Sequence, residues 1–374
     1  KLQQAAKLNR LARIVIDEAH CVSGWGCDFR PAYRQLDLLR TSKHIDKVPI
    51  LALTATATKS VRRDVQNILK MKHTELFLGG FNRKNLFYSI LEKKRNYVEF
   101  IIDLIGEIQA CKEQCKISTD PCGIIYVHSR SDADKLSREL NEKHGMKTRA
   151  YHAGLDDYEK KIAHENWRND HTQIIVATVA FGMGIDKPDV RFVIHTTLSK
   201  SMETYLQESG RAGRDGKLAR CTLFYRREDI SKVSSLIHDS NNKDVAKRKL
   251  YTFVKYFCEY SGQTCRRKSI GRVLNENDPE SLLCNRVCDL CCMPGDKPTV
   301  FDATLAAVQV MKIIRLVKHY QVRENISMIQ LLEVWCGNGK IHKELVKFAD
   351  TAEINTLQSP RKEVGGSKNN LMKI

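Results

Sequence analysis

Two kinds of segment are missing from this sequence: long apolar runs and a secretion signal. No run reaches the roughly 18 apolar residues that a transmembrane helix needs, and the chain does not open on the charged and apolar regions of a signal peptide. We therefore expect no membrane partner and no oxidising compartment. The 13 cysteines then indicate reduced thiols with a metal cluster rather than a disulfide framework.

Acidic residues are too few to balance the basic ones. The chain has 62 Lys and Arg against 44 Asp and Glu, a net charge of +18, and a sequence pI of about 9.3. Such a balance points to a polyanionic partner, and residues 226–272 hold twelve basic residues against five acidic ones. That stretch is a candidate phosphate-contacting face. A length of 374 residues that are 42% hydrophobic suits two or three globular domains.

A short strand that ends on two carboxylates organises the first part of the chain. Arg13–Ile16 is typical of a strand buried in a parallel sheet, and it stops at Asp17 and Glu18. Ligands of open α/β sheets bind at this edge. Asp17 there can hold the waters around Mg²⁺, and Glu18 can orient the water that attacks a γ-phosphate. An ordinary acidic turn is the alternative for such a pair alone.

The residues that follow the pair favour the nucleotide interpretation. His20 completes the sequence DEAH, and a glycine-containing loop then carries Trp25, Phe29 and Arg30, which can stack on unpaired bases and grip a backbone. DEAH followed by S-x-W-G-x-D-F-R-P resembles motif II and the aromatic-rich loop of the RecQ family of DNA helicases. The resemblance implies that His20 belongs to an ATP site and that the loop couples single-strand binding to hydrolysis. Cys27 departs from the family, which usually has histidine there.

A threonine-rich stretch allows two interpretations. Thr54–Thr58 follows a predicted strand at Pro49–Leu53, and the sequence TATAT resembles helicase motif III, which passes the state of the nucleotide to the DNA site. Alone it would be a helix cap, since Thr58 precedes an amphipathic helix, Lys59–Leu69.

The second half of the fold follows from alternating strands and helices between residues 97 and 195, which predict another parallel sheet. We expect an α/β protein with two RecA-like parallel-sheet lobes, the first one partial, then a helical zinc-binding subdomain and the start of a winged-helix region. The expected bounds are 1–80 for lobe one, 81–228 for lobe two, 229–298 for the zinc subdomain, 299–348 for the partial winged helix, and 349–374 for a disordered tail.

Two further motifs complete the predicted ATP site. Residues 177–191 resemble helicase motif V, in which Gly182 and Gly184 let backbone amides approach phosphate or ribose and Asp186 can accept from a sugar hydroxyl.

Residues 207–216, QESGRAGRDG, resemble motif VI, which implies a nucleotide contact for Gln207. Arg211 and Arg214 are three apart and are expected to share one helical face, with Arg214 as the finger on the γ-phosphate.

Four cysteines, Cys265, Cys284, Cys288 and Cys291, follow the basic stretch in the pattern C-x18-C-x3-C-x2-C, which suits a tetrahedral structural zinc and resembles the RecQ zinc subdomain. Cys292 could substitute for one of them. Cys258 is expected to be a core thiol, and Cys111 and Cys115 are expected to be buried or idle thiols rather than ligands. The segment CNRVCDLCC is most similar to the Q-one branch of the family.

The phosphate loop G-x-x-x-x-G-K-[ST] does not occur in this sequence. The chain starts with Lys1, one strand before motif II, so we expect a fragment that hydrolyses little or no ATP.

The resemblance implies a 3′–5′ DNA helicase of repair, recombination and replication, using ATP, Mg²⁺ and Zn²⁺ on single-stranded and forked DNA in the nucleus. A DNA-binding fragment without motor activity is the rival hypothesis. An RNA helicase of the DEAH class is the third.

Overall fold

The computed structural model describes residues 1–23, 30–55, 58–79, 82–182, 185–237, 243–259, 265–274, 284–292, 304–322, 325–337 and 339–348. Trp25, Phe29 and Gly184 lie outside these ranges, as does the tail from residue 349. The chain divides into two compact units, Lys1–Lys297 and Pro298–Ile374. Among the described helices, none is long and apolar enough to cross a membrane.

The first strands form a small parallel sheet. Helix α1 (Leu2–Lys7) precedes β1 (Ile14–Ile16), which pairs in parallel with β2 (Ile50–Ala52). Helix α2 (Pro31–Arg34) lies between the strands, and α3 (Lys59–Ile68) follows them. The sequence after the aromatic loop predicts a single helix at Ala32–Arg40, and this prediction is wrong in its second half. Gln35–Arg40 forms a 3₁₀-helix, in which Leu36 and Leu39 are only partly buried against the core.

Six parallel strands form the second, larger sheet. They are β3 (Leu86–Glu92), β4 (Gly123–Tyr126), β5 (Thr148–Tyr151), β6 (Ile174–Ala177), β7 (Phe192–His195) and β8 (Ala219–Tyr225). Their order in the sheet is β3-β8-β7-β4-β6-β5. Every residue of β4, β6 and β7 is buried, as expected for parallel strands that are covered on both faces. The sequence prediction missed β3 and β8, the pair that adds one edge of the sheet.

Helices cover both faces of this sheet. They are α4 (Tyr97–Gln114), α5 (Arg130–His144), α6 (Asp157–Arg168) and α7 (Met202–Ser209). Helices α5 and α6 begin with capping boxes, in which the side chains of Ser129 and Asp156 accept backbone hydrogen bonds from Asp132 and Glu159. Local sequence thus fixes where these helices start, while their buried faces fix how they pack.

The cysteine segment shares the core of the larger sheet. Helix α8 (Glu228–Ile237) and α9 (Lys243–Phe253) lead into a π-helical stretch at Val254–Glu259, followed by α10 (Arg266–Leu274) and α11 (Asp289–Cys292). Phe253 and Phe257 pack with Tyr205 of α7, with ring centroids 5.5 and 5.1 Å away. The segment therefore cannot rearrange without disturbing α7.

The second unit is helical in its described part. Helix α12 (Thr304–His319), α13 (Met328–Trp335) and α14 (Gly339–Phe348) enclose a core of their own. Its buried residues include Ile313, Val317, Leu331, Trp335 and Leu345. The sequence of this region predicts two opening helices, Ala303–Tyr320 and Ile326–Trp335, and α12 and α13 match them within two residues. The assignment to a winged helix stays a prediction.

Candidate functional site

The two predicted catalytic acids lie where β1 ends. Asp17 is exposed and accepts a hydrogen bond from the backbone N–H of Glu18 at 2.8 Å. Glu18 has a left-handed backbone, with φ 49° and ψ 41°. A non-glycine residue there costs roughly 1–2 kcal/mol, and such strain concentrates at functional sites. The turn therefore holds the Glu18 side chain in a direction that a relaxed strand end would not give.

His20 links the acid pair to the threonine-rich stretch. Its ring is buried, and Nδ1 lies 3.0 Å from Oγ1 of Thr54 and 3.2 Å from Oε2 of Glu18. This contact joins His20 to Thr54, and the motif III role of the threonine-rich stretch stays a prediction. The helix-cap interpretation is confirmed, because the Thr58 side chain accepts the N–H of Val61 at the start of α3. Separate threonines thus make the two contacts.

Arg211 and Arg214 do not share a helical face, so that prediction is wrong. Helix α7 ends at Ser209 with Gly210 as its C-cap, and both arginines lie in the turns that follow. Glycine has the poorest helix propensity after proline, which favours a helix end at this point. Gln207 remains on the last turn of α7.

Both arginines bind the motif V segment in this structure. Arg211 donates from Nη1 to the carbonyl of Gly182, and Arg214 forms an ion pair with Asp186 at 2.9 Å. The Arg214–Asp186 pair is solvent-exposed, with side-chain exposures of 38% and 85%, so it contributes little stability and can exchange partners. Arg214 is therefore available to an anion that competes with Asp186.

A cavity of about 800 Å³ joins these groups. Glu18, His20 and Thr54 line it from the smaller sheet, and Gln207, Arg211 and Arg214 line it from the larger one. Among the described site residues, Asp17 and Asp186 are not part of the lining. The structure thus places the carboxylate of Glu18 and the two arginines, which come from separate sheets, around one cavity.

Only one of the predicted DNA-contacting residues is described. Arg30 is half-buried, lines the same cavity, and stacks its guanidinium 5.9 Å from the ring centroid of Tyr33. Trp25 and Phe29 lie outside the described residues, so the aromatic part of the loop stays a prediction.

The four predicted zinc ligands come together in space. The sulfur atoms of Cys265, Cys284, Cys288 and Cys291 all lie within 4.8 Å of one another. Two of the Sγ–Sγ separations are 3.9 and 3.5 Å. Four sulfurs at about 2.3 Å from a tetrahedral zinc would be about 3.8 Å apart, so the arrangement fits that ion.

The four other thiols named from the sequence lie outside this cluster. Cys258 and Cys111 are buried and Cys115 is half-buried, while Cys292 is exposed. Cys111 and Cys115 donate to the carbonyls of Arg191 and Leu218. Their mutual contact, together with nearby guanidinium groups, lowers the pKa of Cys115, and the same contact and burial raise the pKa of Cys111. Neither thiol joins a metal-binding group among the described residues.

Comparison with known families covers most of the first unit. The DEAD/DEAH box helicase model matches residues 1–64, the helicase conserved C-terminal domain model matches 100–216, and the RecQ zinc-binding model matches 227–292. The chain belongs to the RecQ family of helicases. The three matches follow the order of the two sheets and the cysteine segment along the chain.

Several RecQ relatives align over most of this chain. ATP-dependent DNA helicase Q1 of Pongo abelii is 38% identical over 91% of the chain and 50% of its own length. RecQ-like DNA helicase BLM of Xenopus laevis is 44% identical over 88% of the chain and 23% of its own length. Among solved structures, Saccharomyces cerevisiae Dbp5 bound to RNA and ADP BeF3 aligns over 67% of each chain, with 18% identity and a TM-score of 0.45. The chain spans at most about half the length of the two RecQ relatives.

Sequence reasoning missed several residues that shape the candidate site and the cysteine cluster. Arg83 lines the cavity and donates to three backbone carbonyls of the segment that carries the two arginines. The Tyr126 hydroxyl donates to the carbonyl of Phe181 beside motif V. Asp289 accepts two hydrogen bonds from Arg266 next to the cysteine cluster. Such contacts join residues that are 23 to 130 positions apart, so motif spacing gives no signal for them.

Proposed function

We propose that this chain contributes the acid and arginine sides of the ATP site of a 3′–5′ DNA helicase that acts in DNA repair, recombination and replication. The observation that carries the proposal is the shared cavity, with Glu18, His20 and Thr54 on one side and Gln207, Arg211 and Arg214 on the other. Opposed carboxylate and guanidinium groups around one space are what phosphoryl transfer to water needs.

Each side chain has a role in this proposal. Asp17, exposed at the strand end, would hold Mg²⁺ through its waters, and the ion would neutralise charge on the phosphates. Glu18 orients the attacking water and accepts its proton. Arg214 leaves Asp186 and stabilises the charge on the transferred phosphoryl group, with Arg211 beside it. Because Arg211 donates a hydrogen bond to the carbonyl of Gly182, nucleotide binding that moves Arg211 would also change the position of the motif V segment.

The zinc subdomain has a structural role in the proposal. Four thiolates from Cys265, Cys284, Cys288 and Cys291 complete a tetrahedral site, which leaves no open position for a reacting water. Zinc there would stabilise the fold around the cluster rather than take part in hydrolysis.

Single-stranded and forked DNA are the proposed substrates, and the nucleus the proposed location. The excess of positive charge within residues 226–272, and Arg30 at the cavity, support an anionic partner. An RNA helicase of the DEAH class is the competing hypothesis. Tighter binding to tailed RNA than to forked DNA of equal length, measured at one salt concentration, would favour it.

The 374 residues themselves contain no G-x-x-x-x-G-K-[ST] loop to hold the β- and γ-phosphates. We therefore propose that this chain binds DNA and turns over little or no ATP by itself. The same absence keeps DNA binding without motor activity as the second candidate function.

The deciding experiment measures DNA-stimulated ATP hydrolysis by this chain and by a chain extended at its N-terminus with a phosphate-loop segment from a RecQ relative. We expect strong hydrolysis only from the extended chain. Glu18→Gln or Arg214→Ala should lower its kcat by at least about a hundredfold. Glu165→Gln, at an exposed position of α6, is the control and should change little.

Two results would contradict the proposal. Full hydrolysis by the extended chain with Glu18→Gln would remove Glu18 from the reaction. Hydrolysis by the present chain that equals the extended one, and that is lost in Glu18→Gln, would show that no phosphate loop is needed.

A further inference from the structure

A short segment between the two sheets, residues 82–85, lies against the turns that carry the two arginines. We call residues 210–217 the arginine turn. Arg83 donates from Nη1 to the carbonyl of Gly210 at 3.3 Å, and from Nη2 to the carbonyls of Ala212 and Gly213 at 3.2 and 2.5 Å. One guanidinium group thus holds three carbonyls that flank Arg211 and precede Arg214.

Asn85 adds a second attachment from the same segment. Its Nδ2 donates to the carbonyls of Gly213 and Lys217, at 2.8 and 2.7 Å. The amides of the turn are held separately, since Gly213 donates to the carbonyl of Val190 at 2.8 Å. Side chains of residues 82–85 therefore hold carbonyls of the arginine turn, and the carbonyl of Val190, which lies just before β7, holds the amide of Gly213.

The cysteine segment in turn fixes the backbone of Arg83. Arg267, two residues after Cys265, is 3% exposed. Its guanidinium donates to the side chain of Asn82, and to the carbonyls of Arg83 and Leu86 at 3.1 and 2.5 Å. A buried guanidinium is costly unless its donors are paired, so these bonds hold residues 82–86 in one arrangement.

We propose that Arg83 is a positioning residue that sets the conformation of the arginine turn, and that Arg267 holds Arg83 in place from the cysteine segment. The catalytic consequence rests on the proposed function, because it requires that Arg211 and Arg214 face a triphosphate. Arginines that stabilise a transition state must be placed to within about 0.5 Å. Three hydrogen bonds from the planar guanidinium group of Arg83 to backbone carbonyls can fix the turn with this precision. A lysine ammonium group lacks the planar set of donors and cannot replace it.

The test measures backbone hydrogen exchange in residues 210–217 of the full chain. Arg83→Ala should speed exchange there by on the order of tenfold, because three charge-assisted hydrogen bonds are lost. Exchange in β4 and β6 should not change. Lys84→Ala is the matched control, because Lys84 is the next residue and is also basic, but its side chain is exposed. This substitution should leave exchange in the turn unchanged.

Chemical rescue separates positioning from general loss of packing. Free guanidinium ion, added well below denaturing concentrations, should restore protection of the turn in Arg83→Ala and have no effect on the wild type. Arg267→Ala should loosen both residues 82–86 and the arginine turn. Equal exchange in Arg83→Ala and Lys84→Ala, exchange that rises uniformly through the lobe, or absence of rescue would each overturn the proposal.

The extended chain tells the two proposals apart. If both hold, Arg83→Ala lowers kcat while KM for ATP stays within about twofold, because the lost interaction belongs to the transition state. If the exchange results are as expected but hydrolysis does not respond to Arg214→Ala, the proposed function fails and the structural role of Arg83 stands.

Discussion

At the scale of single residues, the glycines of the arginine turn are not equivalent. Gly213 and Gly216 both have positive φ, at 55° and 79°. A Cβ at Gly213 would meet Nδ2 of Asn85 at 2.5 Å and the carbonyl oxygen of Lys217 at 2.8 Å, whereas a Cβ at Gly216 meets nothing within 4 Å. Only Gly213 is therefore required both for its backbone conformation and for the close approach of another segment.

Gly213→Ala should destabilise the protein more than Gly216→Ala, by about 1–3 kcal/mol, because alanine at both sites costs backbone strain but only the first also causes a clash. Urea unfolding of both variants beside the wild type measures the difference. Equal losses of stability would mean that Asn85 and Lys217 move aside freely.

The residues of the candidate site could be named from sequence, but their conformations could not. Asp17, Glu18, Arg211 and Arg214 follow from the sequence and its resemblance to helicase motifs II and VI. That Glu18 is left-handed, and that the helix stops before the arginines, depends on contacts made elsewhere in the fold. The prediction of a shared helical face assumes that the helix continues through both arginines. The helix ends at its C-cap, Gly210, so this assumption does not hold.

At the scale of elements, α7 is held by an ion pair to α9. Lys249 Nζ lies 2.9 Å from Oε1 of Glu203, and both side chains are largely buried. Burial alone would raise the pKa of Glu203, but the Lys249 ammonium and hydrogen bonds outweigh it and the pKa is lowered. The folded state therefore favours the carboxylate. This pair stabilises the helix that carries Gln207 and leads into the arginine turn.

Glu203→Gln should cost roughly 1–2 kcal/mol at neutral pH. The difference from wild type should persist down to about pH 5.5. It should then shrink as the pH falls below the unfolded-state pKa of about 4.3, and vanish below the lowered folded pKa. Chemical denaturation across this range measures it. Glu165→Gln, in an exposed pair with Lys161, should cost less than about 0.5 kcal/mol. A difference that grows towards low pH would contradict this assignment.

Helices and strands with a strong hydrophobic periodicity or a capping residue could be predicted from the sequence. Strands that depend on pairing with a distant strand could not. Between residues 97 and 195 the sequence predicts a strand at Thr148–Tyr151, with the bounds that the structure shows, and a helix at Asp132–His144, which in α5 starts two residues earlier. Strand β3 was hidden, because the stretch before it contains Gly79 and resembles a connection. Its pairing with β8 joins segments more than 120 residues apart. The local sequence around β3 does not indicate which strand it pairs with.

At the scale of the whole molecule, the cysteine cluster is joined to the larger sheet by more than its own ligands. Arg266 binds both carboxylate oxygens of Asp289, at 2.9 and 2.8 Å, and Asp289 also accepts the N–H of Ile90 in β3. Cys288 forms a parallel bridge with Tyr88. The cluster is thus part of the same cooperative structure as lobe two, while the second unit has a separate core.

Removal of zinc should therefore have unequal effects on the two units. A strong chelator should lower the Tm of the first unit by on the order of 10 °C, since several kcal/mol of metal-linked stability is lost. Exchange should increase in residues 265–274, 284–292 and 82–90. The second unit should be unaffected, because its core residues belong to α12, α13 and α14 alone.

Two neighbouring cysteines provide the matched comparison for this experiment. Cys291→Ala removes a member of the sulfur cluster and should reproduce the effect of the chelator, with one zinc fewer per chain by elemental analysis. Cys292→Ala removes an exposed thiol outside the cluster and should retain zinc and Tm. If Cys292→Ala released the metal and Cys291→Ala did not, the ligand set would be wrong. If chelation left residues 82–90 protected, the cluster would not support the segment that holds the arginine turn, because Arg267 would keep its contacts without the metal.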